Sequence, residues 1–258
     1  MNKMTIHKFF IGILCSAFCL FSACAKTLPG SEPQAKIITK DNVILVGKFA
    51  PPKNPAKFTF ILLHGLASDK GEWYGFADKL SRRGYGYLAI DMRGHGESNK
   101  TTDGADVDIK YFGPPGPGSE WSKMVEDADA MVKYLVGKRG IKKGTIALAG
   151  ASIGANISLI YSANHKFVPF VVLLSPGLKY IELFTAKAMK EYGKRPVAIA
   201  ASPGDKYAYE SSERLITIAK ENGAAVAFFD GIEARHGVQM FDGKFEDKIL
   251  DWIDSNHK

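Results

Sequence analysis

Residues Gly150-Ala151-Ser152-Ile153-Gly154 follow directly on the apolar run Thr145-Ile146-Ala147-Leu148-Ala149, and the reading of this stretch decides the fold. A buried strand that runs into Gly-x-Ser-x-Gly and then into a helix has the form of a nucleophile elbow. The turn is so tight that the serine backbone is strained, and the glycines on either side must leave it room. It lifts the hydroxyl to the carboxyl edge of a sheet, at a helix N-terminus, where the N–H of Ile153 can meet an oxyanion. The pentapeptide alone is a weak pattern, so its surroundings carry the argument.

Outward from it, short apolar runs alternate with helical patterns. Ala35–Thr39 and Val43–Phe49, joined by Asp41-Asn42, read as a hairpin. Phe58–Leu63 and Tyr85–Ile90 are unbroken apolar runs, which suit parallel strands covered on both faces. Between them Glu72–Arg83 has helical spacing. Glu120–Val136 is a second amphipathic helix, with Met124, Ala128, Met131, Val132 and Leu135 on one side. Further strands are expected at Val168–Leu174, Val197–Ala201 and Ala224–Phe229. Further helices are expected from Ser152, over Ser211–Lys220 and around Phe245–Trp252. This alternation predicts a doubly wound α/β domain with its active residues at the carboxyl ends of the strands. The insertion Asn99–Gly118, with Gly113-Pro-Pro-Gly-Pro-Gly118, should border the site, either as a partial lid carrying Tyr111 and Phe112 or as a rigid surface loop.

Five segments in the right order resemble the α/β-hydrolase superfamily across essentially the whole chain after its leader. Leu62-Leu63-His64-Gly65-Leu66 ends the third strand as the His-Gly oxyanion loop of that family does. Asp91-Met92-Arg93-Gly94-His95-Gly96-Glu97-Ser98 matches its D-x-R-G-x-G-x-S segment. The elbow at Ser152 follows the fifth strand. Asp205 in Ser202-Pro203-Gly204-Asp205 and His236 in Arg235-His236-Gly237 follow later strands. The resemblance implies an α/β-hydrolase fold, a mostly parallel eight-stranded sheet with helices on both faces. Only Ser175–Arg195 separates two of the strands, enough for one short helix at Ile181–Tyr192 and for no large cap domain.

In such a site Ser152 needs a base, and His236 can accept and return a proton near neutral pH. Asp205 would hold the imidazole in its tautomer, in the chain order Ser…Asp…His that this fold uses. The backbone N–H groups of Leu66 and Ile153 would form the oxyanion hole, each such donor being worth about 2.7–4 kcal/mol. Asp230 is the competing acid. His64 and His95 read as structural, His165 ends the helix that Ser152 begins, and His257 is the penultimate residue. No His/Cys/Asp/Glu cluster has metal-ligand spacing and no Gly-rich phosphate loop follows the first strand, so neither a metal nor a cofactor is expected.

The 258 residues carry a formal charge of +7 without a Lys/Arg block or a basic-aromatic stripe, which argues against nucleic acid as a partner. Lys3 and Lys8 precede the apolar run Phe9–Phe21, and Ser22-Ala23 follow, as in a secretory signal. The run is too short to span a bilayer comfortably. Ala23-Cys24-Ala25 is an A-x-A cleavage site, while Phe21-Ser22-Ala23-Cys24 resembles the bacterial lipobox, with Phe21 where Leu is usual. All three cysteines, Cys15, Cys19 and Cys24, lie in this region. A lone exported thiol calls for modification, which favours lipidation of Cys24 and stable anchoring by several acyl chains. The expected organisation is therefore a signal peptide over 1–23, a lipidated tether over 24–34 and an α/β-hydrolase domain over 35–258.

Serine at the elbow argues against relatives that use Asp or Cys there. The leading expectation is a carboxylesterase that forms an acyl-enzyme on Ser152. Lysophospholipase, monoacylglycerol lipase or aminopeptidase-like activity remains open within the fold. A non-catalytic envelope binding protein is the alternative from a different class.

Overall fold

The computed structural model describes residues 34–256. The signal peptide, Cys24, most of the tether and His257 lie outside them. Among the described residues, no helix is long and apolar enough to cross a membrane.

The sheet is built from β1 (Gln34–Ile38), β2 (Val43–Ala50), β3 (Thr59–Leu63), β4 (Gly86–Ile90), β5 (Ile146–Ala151), β6 (Val171–Leu174), β7 (Val197–Ala201) and β8 (Val226–Asp230). Their spatial order is β1-β2-β4-β3-β5-β6-β7-β8, and the two-residue strand Lys100–Thr101 adds to β2. Pairing is antiparallel for β1 with β2 and for β2 with β4, and parallel from β4 through to β8. This is the α/β-hydrolase architecture that the motif order implies.

The unbroken apolar runs follow from burial on both faces. In β3, Ile61 and Leu63 point to one side and Phe60 and Leu62 to the other. The first side is covered by α2 (Glu120–Arg139), α3 (Ile153–Asn164), α4 (Thr185–Tyr192) and α5 (Lys206–Glu221); the second is covered by α1 (Tyr74–Arg82) and α6 (Phe245–Ser255). Met124, Ala128, Met131, Val132 and Leu135 form the buried stripe of α2, as their spacing predicts. Helix α3 is buried nearly all round, so it lacks the amphipathic signal of a surface helix.

Several boundaries differ from the sequence reading: the helix expected over Ser211–Lys220 already starts at Lys206, directly after Asp205, and two others differ for identifiable reasons. The helix expected from Glu72 is preceded by a 3-10 turn, Lys70–Trp73, capped by the Asp69 carboxylate on the Gly71 N–H. The helix expected over Ile181–Tyr192 begins only at Thr185. Lys179-Tyr180 and Leu183-Phe184 instead form a small antiparallel hairpin. Its turn residues Ile181 and Glu182 sit at φ +46° and +61°, and Ile181 is strained there because it is β-branched. Helix α3 pulls this segment out of helical form. The Asn156 side-chain amide donates to the Leu183 carbonyl (2.9 Å) and its oxygen accepts from the Gly177 N–H (3.0 Å).

Candidate active site

The site lies where β3, β5, β6, β7 and β8 end. Ser152 has φ +55° and ψ −121°, between the end of β5 and the first turn of α3. Its N–H donates to the Leu174 carbonyl (2.8 Å) and its carbonyl accepts from Ala155 and Asn156. Both elbow glycines are sterically required. A Cβ on Gly150 would overlap the Gly154 carbonyl, and a Cβ on Gly154 would overlap the carbonyls of Leu63 and His64. Helix α3 therefore meets β3 backbone to backbone, and the oxyanion loop is brought beside the serine.

Asp205 sits at the N-cap position of α5 just beyond β7, with its carboxylate turned to His236 rather than to the helix. Gly204 lets its loop press on the one that carries His236: the Gly204 N–H donates to the Glu233 carbonyl (3.0 Å), and a Cβ on Gly204 would meet that oxygen at 2.6 Å. His236 Nδ1 stands 2.5 Å from Asp205 Oδ2. The alternative acid, Asp230, instead accepts from the Tyr209 hydroxyl (2.9 Å). On the other side, a Cβ on Gly237 would lie 3.2 Å from the Cβ of Ala151, so the histidine loop touches the elbow. The structure thus gathers Ser152, Asp205 and His236 at one edge of the sheet. A histidine held through Nδ1 by a carboxylate leaves Nε2 free to take a proton from a hydroxyl.

The N–H groups of Leu66 and Ile153 have no partner among the described residues. The neighbouring N–H of Gly65 donates to Glu72 Oε1 (2.9 Å). His64 accepts from the Met92 N–H at Nε2 (2.9 Å), so its Nδ1–H faces the Gly65 carbonyl (2.7 Å). Burial lowers His64 to about 4 and keeps it neutral. His95 packs edge-on against it at 4.8 Å and is also lowered by burial. Neither is placed as a base. His165 stacks on Tyr161, with ring centroids 3.9 Å apart, at the far end of α3.

The D-x-R-G segment is structural. Arg93 is 1% exposed and donates to Asp127, Asp41 and Glu120, tying the end of β4 to α2 and to the β1–β2 turn. Asp91 accepts from the Lys70 N–H (2.8 Å), Lys70 Nζ (2.6 Å) and the Glu97 N–H (2.9 Å). The Asn99–Gly118 insertion is held to this segment by the Ile109 N–H on the Gly94 carbonyl, and to α2 by Trp121 Nε1 on the Gly113 carbonyl.

Three site residues escape the sequence reading. In the sequence Glu72 is the first residue of a helical pattern. Ser175 follows β6 at φ +49° and is wholly buried. Tyr180, on the unforeseen hairpin, lies against the Ser152 side chain, and burial followed by the nearby Asp205 charge raises its hydroxyl pKa. Residues Pro115, Pro117, Trp121, Ile181, Leu183 and Phe184 line an apolar cleft of about 410 Å³ between that hairpin and the end of the insertion.

The family model described as serine aminopeptidase, S33, matches residues 54–224. The AB hydrolase superfamily protein YisY of Bacillus subtilis is 28% identical over 167 residues, which covers 55% of this chain and 55% of that protein. The chain spans about half the length of the curated relatives it matches. Among solved structures, the Pyrococcus furiosus esterase Pf2001 is similar with a TM-score of 0.66 at 20% identity, over 86% of this chain and 89% of that one. Est1E from Butyrivibrio proteoclasticus, solved with ferulic acid bound, has a TM-score of 0.63 at 18% identity, over 86% and 97% of the two chains. These structures share the fold, and the matched family, together with the elbow and the strand order, places the chain. It belongs to the serine aminopeptidase S33 family of α/β-hydrolases.

Proposed function

We propose that the protein is a serine carboxylesterase. Ser152 is the nucleophile, His236 the general base and Asp205 the acid that orients it; the N–H groups of Leu66 and Ile153 hold the oxyanion. His236 takes the Ser152 proton as the hydroxyl attacks the ester carbonyl, and returns it to the departing alcohol. Water, deprotonated by the same imidazole, then releases the acid from the acyl-enzyme. One observation carries this reading. The Asp205–His236 pair, 2.5 Å apart, stands on loops that touch the elbow, beside the N–H groups of Leu66 and Ile153, which have no partner among the described residues.

Esters are favoured because the solved structures of like fold include proteins named as esterases, and because the described residues place no large cap over the site. The name of the matched family favours a second reading, hydrolysis of N-terminal peptide bonds. A panel of p-nitrophenyl esters of increasing chain length beside aminoacyl p-nitroanilides separates the two. The esters should be turned over and the anilides hardly at all; the reverse order selects the peptidase.

We also propose that the chain is exported and anchored in the cell envelope through a lipid on Cys24. The support is the basic, apolar and small-residue order of its first residues and the confinement of every cysteine to them. Cys24→Ser should abolish incorporation of labelled fatty acid in cells. Unchanged incorporation returns the leader to ordinary cleavage after Ala25.

A further inference from the structure

Gly65 lies between the serine and a carboxylate. A Cβ placed on it would have the Ser152 Cβ at 3.6 Å and Glu72 Oε2 at 3.9 Å. Glu72 Oε1 accepts the Gly65 N–H at 2.9 Å, and its carboxylate also engages the Ser68 side chain. Between these two anchor points the chain has little else to hold it. Leu66 is 42% exposed, and Ala67 sits at φ +58°, which for a residue with a side chain carries strain of order 1–3 kcal/mol. The Ser68 N–H reaches back to the Gly65 carbonyl at 3.2 Å.

Glu72 is itself firmly placed. The 3-10 turn that carries it is capped by Asp69, and Lys70 bonds to Asp91 through both its N–H and its ammonium group. Trp73, the next residue, is wholly buried. Burial raises the carboxyl pKa of Glu72, as expected for a group withdrawn from water, and the hydrogen bonds from Gly65 and Ser68 oppose that rise. A half-buried acid with two of its acceptor positions spent on one loop is an expensive way to hold a surface turn. It is an effective way to fix the direction of a single peptide N–H.

We propose that Glu72 is a positioning residue for the oxyanion site. By occupying the Gly65 N–H it sets the next peptide so that the Leu66 N–H faces the space above Ser152. The inference rests on the reading of Ser152 as nucleophile and adds to it a residue that touches no substrate. A donor displaced by about 1 Å costs on the order of a hundredfold, and loss of one oxyanion donor about a hundred- to a thousandfold, in kcat.

The test compares Glu72→Ala, Glu72→Asp and Glu72→Gln on p-nitrophenyl butyrate, with active sites counted by fluorophosphonate titration. Glu72→Ala, and Glu72→Asp, whose shorter arm falls short of Gly65, should lose about ten- to a hundredfold in kcat per titrated site with KM nearly unchanged. Both should bind an aryl trifluoromethyl ketone, which forms an oxyanion on the serine, weaker by a similar factor. Glu72→Gln keeps the acceptor oxygen and should restore most of kcat. The proposal is overturned if the Asp variant keeps wild-type kcat per site, if the loss falls on KM, or if Gln is as impaired as Asp. Absence of serine labelling in the wild-type protein would instead strike the proposed function.

Discussion

The Ser175 hydroxyl oxygen accepts a hydrogen bond from the Gly237 N–H at 2.9 Å, so the end of β6 holds the residue next to His236. Ser175 adopts φ +49° to do this, with its own N–H on the Ala200 carbonyl at 2.7 Å. The histidine loop, which follows the edge strand β8, is thereby fastened to the middle of the sheet. Ser175→Ala leaves a buried N–H unsatisfied, which costs about 1–3 kcal/mol of stability. Ester turnover should fall by about tenfold in kcat as His236 shifts. Urea unfolding and steady-state kinetics on the same preparation measure the two effects.

Asp205 follows β7 at the start of α5 and Asp230 ends the neighbouring β8, yet it is Asp205 that faces the imidazole. Asp205→Asn should lower kcat by about 10⁴-fold, because the amide favours the wrong tautomer of His236. Asp230→Asn changes an exposed group bonded to Tyr209 and should leave kcat within about twofold. Equal losses in the two variants would contradict the assignment.

Gly154 lies against the backbone of β3, where the carbonyls of Leu63 and His64 cannot retreat. Gly154→Ala should therefore destabilise the domain at the upper end of the roughly 1–3 kcal/mol typical of overpacking. Gly144→Ala, where a Cβ has nothing near it, is the control that should leave the urea midpoint unchanged.

His64 is neutral in the folded protein, lowered to about 4 by burial, whereas in the unfolded chain it takes a proton near 6.5. The unfolded state therefore binds more protons between these values. The stability contributed is complete above pH 6.5 and is lost as pH falls toward 4, by about 3 kcal/mol in all. His95 is lowered in the same direction. Unfolding free energy measured from pH 7 to 4.5 should fall more steeply for the wild type than for His64→Gln. Parallel curves would contradict the assignment.

Much of the fold is legible in the chain because buried parallel strands are written as apolar runs and the elbow needs its two glycines. The residues of the candidate site are legible for a related reason: Ser152, Asp205 and His236 each follow a strand, where this architecture gathers side chains. What is not legible depends on contacts distant in sequence. Glu72 looks like one more acid at the start of a helix until Gly65, seven residues earlier, folds back onto it. Ser175 gains its role only when Gly237, 62 residues later, returns to it. The Lys179–Phe184 hairpin carries no turn glycine, and from Ile181 onward the sequence reads as helix. Its form is imposed by Asn156 on α3.

The central claim is that Ser152 carries the acyl group. Rapid acid quench during turnover of p-nitrophenyl butyrate, followed by peptide mass spectrometry, tests it most directly. A butyryl group is expected on the peptide containing Ser152, formed with a burst of p-nitrophenol and absent in Ser152→Ala. An unmodified Ser152 peptide during active turnover, or turnover that survives Ser152→Ala, would contradict it.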